Sequence, residues 1–116
     1  MAKILIVEPH AEVRDLLVRI VARLGHESVS YAGAAAHDLA DIDVVLLEPA
    51  ALDGLEAARA ARAASGAAVV CVSIYPASEE ARALDPVTHL MKPFSLLDLE
   101  RAVLAALERR QSIAAA

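Results

Sequence analysis

The chain has little with which to cross-link or to bind polyanions. A single cysteine, Cys71, among 116 residues excludes an internal disulfide and fits a reducing compartment. Aromatic residues are nearly missing, with no Trp, one Phe and two Tyr, so the 58% hydrophobic fraction is mostly aliphatic residues and alanine. Eleven Lys and Arg stand against sixteen Asp and Glu, a formal net charge of -5. That balance argues against a nucleic-acid surface, because phosphate contacts need clustered cations. No apolar run approaches the roughly 18 residues that a bilayer requires. Met1-Ala2-Lys3 leads straight into a strand-like run with no signal-peptide layout, so a cytoplasmic protein without membrane contact is expected. No internal repeat and no linker interrupts the chain, and one domain over 1–116 is the expectation, with 111–116 as a frayed tail.

What is present alternates between short β-rich runs and helix-patterned stretches, the signature of a parallel sheet covered by helices. Ile4-Leu5-Ile6-Val7 is a continuous apolar run, as strands buried on both faces show. Pro9 suits the first turn of a helix that buries Val13, Leu16, Leu17, Ile20, Val21 and Leu24 and ends at Gly25. A weaker strand lies near Ser28 to Tyr31. Few residues separate it from the next strand, so the second helix, around Ala34 to Leu39, must be short. The third strand is Val44 to Glu48. A helix from Gly54 to Ala64 follows, with Asp53 as its N-cap. Ala68 to Ser73 is the fourth strand, Ala77 to Leu84 a short helix stopped by Asp85-Pro86, and Val87 to Met91 the fifth strand. Ser95 and Asp98 form a capping box for a last helix that buries Leu96, Leu99, Val103 and Leu107.

Five such units predict an α/β, doubly wound, flavodoxin-like sheet of five parallel strands in the order 2-1-3-4-5. Ligands of such sheets sit at the carboxyl ends of the strands, near the switch point between strands 1 and 3. The rule points to Glu8, Glu48, Ser73 and Lys92, each at or just past a strand end. Ile4-Leu5-Ile6-Val7-Glu8, Asp43 through Glu48 with Leu52-Asp53-Gly54, Val70-Cys71-Val72-Ser73, and Lys92-Pro93-Phe94 together resemble the response-regulator receiver domain of two-component signalling. They follow in that family's order and spacing over almost the whole chain, and the closing Lys-Pro-Phe is the most diagnostic.

The resemblance implies a pocket whose aspartate, ending the third strand, accepts a phosphoryl group from a histidine kinase. Two acids after the first strand help bind Mg²⁺, a Ser or Thr ending the fourth grips the phosphoryl group, and the Lys neutralises it. Ser73 and Lys92 match. Glu8 takes the place of the first acid, Pro9 replaces the second, and Glu48 replaces the acceptor. The loop after Glu48 is shorter than the family pattern, and Ile74 stands where a small residue is usual.

These departures have physical consequences. Mg²⁺ wants near-octahedral oxygen ligands at about 2.0–2.1 Å, usually with one or two carboxylates among them, and Pro9 offers no carboxylate, so no metal and no other cofactor is expected. Glu is longer than Asp by about 1.5 Å, and a misplacement of ~1 Å can cost ~100-fold in a positioned reaction. A catalytic or phospho-accepting role is therefore not expected of Glu48. Glu48 could instead reach Ser73 and Lys92 and imitate the phosphorylated state. A partly exposed ion pair is worth only about 0–1 kcal/mol, whereas throwing a two-state switch from 1:99 to 99:1 takes about 5.5. A single fixed conformation is an equal alternative.

Other candidates have plainer readings. Cys71 is a small core residue. His89, three residues before Lys92, holds the family's aromatic switch position, or is an exposed strand histidine. His10 with Glu8 lacks a third metal ligand. Asp43 lies roughly 16 Å along the strand from Glu48, and Arg14, Arg19 and Arg23 read as a solvated helix face. Ala77, His89, Arg101 and Arg109 are the candidates for a partner-binding face, which the resemblance places on the short helix, last strand and last helix. The leading expectation is a non-enzymatic, single-domain receiver-like protein acting by phosphorylation-independent contact with a protein, either a histidine kinase or a downstream signalling protein. A working phospho-accepting regulator is the alternative. A small-molecule or nucleotide binder is a third, weakened because Glu8-Pro9-His10 stands where a Gly-rich phosphate loop would be.

Overall fold

A computed structural model describes residues 1–31 and 39–115. Among them the elements run β1 (Lys3–Val7), α1 (Ala11–Arg23), β2 (Glu27–Ser30), β3 (Val44–Leu47), α2 (Gly54–Ser65), β4 (Ala68–Ser73), α3 (Glu79–Arg82), β5 (Thr88–Met91) and α4 (Leu96–Ala115). The strands pair in parallel in the order β2-β1-β3-β4-β5, the expected doubly wound arrangement. The expected second helix, Ala34 to Leu39, falls outside the described residues except for Leu39. No helix among the described residues is long and apolar enough to cross a membrane.

Alternation along the strands sorts the core into two layers, because successive side chains leave opposite faces of the sheet. Ile4, Ile6, Val44, Leu46, Val70 and Val72 face α1 and α4, which contribute Leu17, Ile20, Val21, Leu99, Val103 and Ala106. Leu5, Val7, Val45, Leu47, Val69 and Cys71 face α2 and α3. The second layer is closed by Ala57, Ala58 and Ala61, whose small side chains let α2 lie close to the sheet. At the start of that helix a Cβ on Gly54 would stand 3.1 Å from Leu47 Cδ1 and 3.2 Å from the Glu48 carbonyl oxygen. Glycine there brings α2 against the end of β3.

Several local expectations are corrected. Pro9 lies outside α1, whose N-cap is His10, so it shapes the entry to the helix rather than its first turn. Asp53 sits at the N-cap of α2 in the left-handed region, φ 58°, and its side chain makes no cap hydrogen bond. The short helix spans only Glu79–Arg82; Ser78 caps it through Oγ, leaving Ala77 in the preceding segment. Leu16 and Leu96 are exposed, since each lies just outside the stripe its helix turns to the sheet. The Ser95–Asp98 capping box forms, with Asp98 N donating to Ser95 Oγ at 3.0 Å and Ser95 N to Asp98 Oδ2 at 3.3 Å. From it α4 runs to Ala115, past the expected end at Arg110.

Candidate functional site

The sheet itself aligns the site. Glu48 N donates to Val7 O at 2.9 Å and Lys92 N donates to Ser73 O at 2.8 Å, so the residues that leave β1, β3, β4 and β5 start from one level. Glu8, Glu48 and Ser73 are buried there, at 6%, 6% and 2% exposure, in a chain whose other buried positions are almost all apolar.

One ammonium faces two carboxylates. Lys92 Nζ lies 2.5 Å from Glu8 Oε1 and 3.3 Å from Glu48 Oε2. Ser73 Oγ donates to Glu48 Oε1 at 2.9 Å, and Ala50 N donates to that oxygen at 3.0 Å. Ser73 Oγ accepts in turn from Tyr75 N at 3.1 Å. Both oxygens of Glu48 are thus engaged, whereas Glu8 Oε2 is buried without a hydrogen-bond partner among the described residues. Burial makes the paired state matter: a charge withdrawn from water is tolerated when its partner is held beside it, and costly once that partner is removed.

Pro9 and His10 on one side and Ile74 and Tyr75 on the other border a cleft of about 430 Å³ over Glu48 and Lys92. Beneath it, burial and then the negative charge of Glu48 push the Cys71 thiol up to about 11. Cys71 is fully buried in β4.

The remaining candidates separate. Asp43 is at the other end of β3, where Oδ2 accepts from Lys3 N at 2.9 Å and Oδ1 pairs with Arg110 Nη1 at 3.3 Å. Arg14 is not simply a solvated cation, because its Nη1 donates to Glu8 O at 3.2 Å. His89 is half-buried on β5 rather than exposed. Its Nε2 lies 2.9 Å from Tyr75 O, and its Nδ1 is buried without a partner among the described residues. Ala77 is half-buried, Arg101 is exposed on α4, and Arg109 donates to Asp85 O at 2.8 Å. Sequence reasoning missed Ala50 and Tyr75. Each acts through its backbone, which side-chain type does not announce, although a polar strand end followed by a turn is a position where such donors gather.

Solved structures of the same shape are signalling domains. A CheY-like response-regulator receiver domain protein from Methanospirillum hungatei superposes with a TM-score of 0.81 at 20% identity, over 97% of this chain and 98% of that one. A receiver domain protein from Clostridium thermocellum gives 0.77 at 19% identity, covering 97% and 99%. The chain has the receiver-domain fold. A two-component response regulator from Clostridium difficile, at a TM-score of 0.72 and 20% identity over 94% and 98%, has it too. No family model matches the sequence, and no curated protein matches it. In the receiver fold the pocket described above lies at the carboxyl ends of the strands, on either side of the switch point between β1 and β3.

Proposed function

We propose that this chain is a receiver-like signalling module that works without accepting a phosphoryl group and acts by binding another protein. One observation carries the reading. Ser73 and Lys92, the two groups that the resemblance assigns to an incoming phosphoryl group, are already engaged by the carboxylate of Glu48 at 2.9 and 3.3 Å. An acceptor needs free oxygens aimed outward, and Glu48 has both turned inward. The donor set also does not fit Mg²⁺. Pro9 supplies no carboxylate, Glu8 Oε1 is held by an ammonium, and among the described residues no group of three or more His, Cys, Asp or Glu could hold a metal ion. Nothing in this reading requires catalysis. The partner is a histidine kinase or a downstream signalling protein, met on the face that carries His89, Ala77, Arg101 and Arg109.

The test is intact-mass analysis after incubation with a small phosphodonor and Mg²⁺, with Glu48→Gln as the control. No adduct is expected on the wild type, and none on Glu48→Asp, where Pro9 still leaves the metal site incomplete. A stoichiometric adduct that Glu48→Gln abolishes would make the chain a working response regulator.

A further inference from the structure

The chain is acidic overall, yet cations gather at the end of the sheet opposite the Glu48 pocket. Arg62 of α2 and Arg109 of α4 both reach the turn between α3 and β5. Arg62 Nη1 donates to Leu84 O at 2.6 Å, and Arg109 Nη1 donates to Asp85 O at 2.8 Å. The two acceptors belong to consecutive residues, so two guanidinium groups are drawn to one cleft of about 220 Å³, which residues 66–69 at the start of β4 also line. A neighbouring hollow of about 390 Å³ shares Arg62 and Leu84 with it and adds Arg59.

Fastening the turn takes one nitrogen of each arginine. Among the described residues Arg62 and Arg109 make no hydrogen bond beyond these, so the rest of each fork is unused by the fold. Counter-charge is scarce as well. Neither Arg59 nor Arg62 makes an ion pair among the described residues, and Arg109 has only Asp85, 3.5 Å away with its side chain 81% exposed. Arg110 differs, because Asp43 pairs with it at 3.3 Å.

We propose that this cleft binds the phosphate group of a small molecule, free phosphate being the smallest case. Two like charges held at one cleft repel each other, and an anion between them turns that repulsion into attraction. The forks arrive from different helices, which suits an acceptor whose oxygens do not share a plane. A tetrahedral phosphate dianion can accept from both, whereas a planar carboxylate is matched by a single fork. Size narrows the class further. The cleft is smaller than the roughly 300–1,000 Å³ of pockets that enclose a drug-sized ligand, so it takes a phosphate and little more, and the remainder of an ester would lie in the hollow beside Arg59. Asp85 is the internal competitor, exposed enough to turn to solvent when the anion enters. No residue of the Glu48 pocket takes part, and the site stands whether or not Glu48 accepts a phosphoryl group.

Amide chemical shifts of the full chain, titrated at constant ionic strength with inorganic phosphate, glycerol phosphate and adenosine monophosphate, test the proposal. Saturable shifts are expected at Gly66, Ala68 and Asp85, with Glu48 and Ser73 unmoved. Saturation by inorganic phosphate at the lowest concentration would identify the free ion as the ligand, and tighter saturation by either ester would identify an ester. Arg62→Gln and Arg109→Gln should each weaken binding about tenfold or more. Asp85→Asn, which removes the competing charge and keeps a residue type that tolerates the left-handed backbone at φ 49°, should strengthen it about threefold. That gain is the readout which arginines serving only to fasten the turn would not produce. Shifts that fail to saturate, acetate binding as tightly as phosphate, or an Asp85→Asn variant no tighter than the wild type would each overturn the proposal.

Discussion

Strand β3 has an acid beside each end, and the two are satisfied in different ways. Asp43, before the strand, is held mainly by backbone and surface groups. Its carboxylate accepts from Lys3 N at 2.9 Å and pairs with Arg110, and its side chain keeps 28% of its exposure. Glu48, after the strand, is buried at 6% and depends on side chains from two other strand ends, Ser73 and Lys92, with help from Ala50 N in its own turn. The direction of the strands explains the contrast. At the amino ends of a parallel sheet, neighbouring strands offer free N–H groups, which a carboxylate can take. At the carboxyl ends they offer carbonyl oxygens, which it cannot, so an acid there must recruit side chains. The first acid fastens the fold, and the second makes a pocket.

The strongest way to break this comparison is to remove the cation. Lys92→Met leaves Glu8 and Glu48 buried without the ammonium that now lies 2.5 and 3.3 Å from them. Stripping one partner from a buried pair typically costs about 3–5 kcal/mol, and urea denaturation should show a loss of that order. Asp43→Ala, at the opposite end, should cost only about 1–2 kcal/mol, the sum of one ordinary hydrogen bond and one partly exposed ion pair. Equal losses from the two variants would mean that burial does not separate the two acids.

Most of the architecture was legible because it rests on periodicity. Continuous apolar runs marked the buried strands, β4 was found at its observed bounds, and the strand order followed from alternating elements in a short chain. The meeting of Glu8, Glu48, Ser73 and Lys92 followed from the rule that places ligands at strand ends, since each of these residues could be assigned to an end. What was not legible depends on atoms that side-chain type does not encode. Ala50 and Tyr75 take part through backbone N–H groups, and the buried Nδ1 of His89, unpartnered among the described residues, depends on how the Tyr75 loop folds over β5. Helix faces were misjudged at their margins, as at Leu16 and Leu96, because an i, i+3, i+4 pattern does not say how wide a stripe the sheet covers. Asp53 misled for a related reason. Aspartate is a favoured N-cap, but here the backbone turns left-handed at φ 58° and carries the side chain away from the helix N–H groups.

The finest distinction between the two acids can be read at Cys71. This thiol lies in β4 in register with Leu47, one residue before Glu48, and is pushed up from its ordinary 9.0 to about 11, first by burial and then by the charge of Glu48. The sign follows from which state holds the proton longer. The unfolded chain releases it first, so this contribution to stability is intact below about pH 9.0 and declines as the pH rises toward about 11. Glu48→Gln removes the second cause and keeps the first, so the thiol should titrate at a lower pH than in the wild type while staying above its ordinary value. Asp43→Ala, which alters the far end of the strand, should leave the titration where it was. The carbon-13 chemical shift of Cys71 Cβ, followed against pH in the three proteins, reads the difference directly. An unchanged midpoint in Glu48→Gln would mean that Lys92 and Ser73 already neutralise the field of the carboxylate, and the pocket would then be closer to a sealed structural cluster than to a charged site.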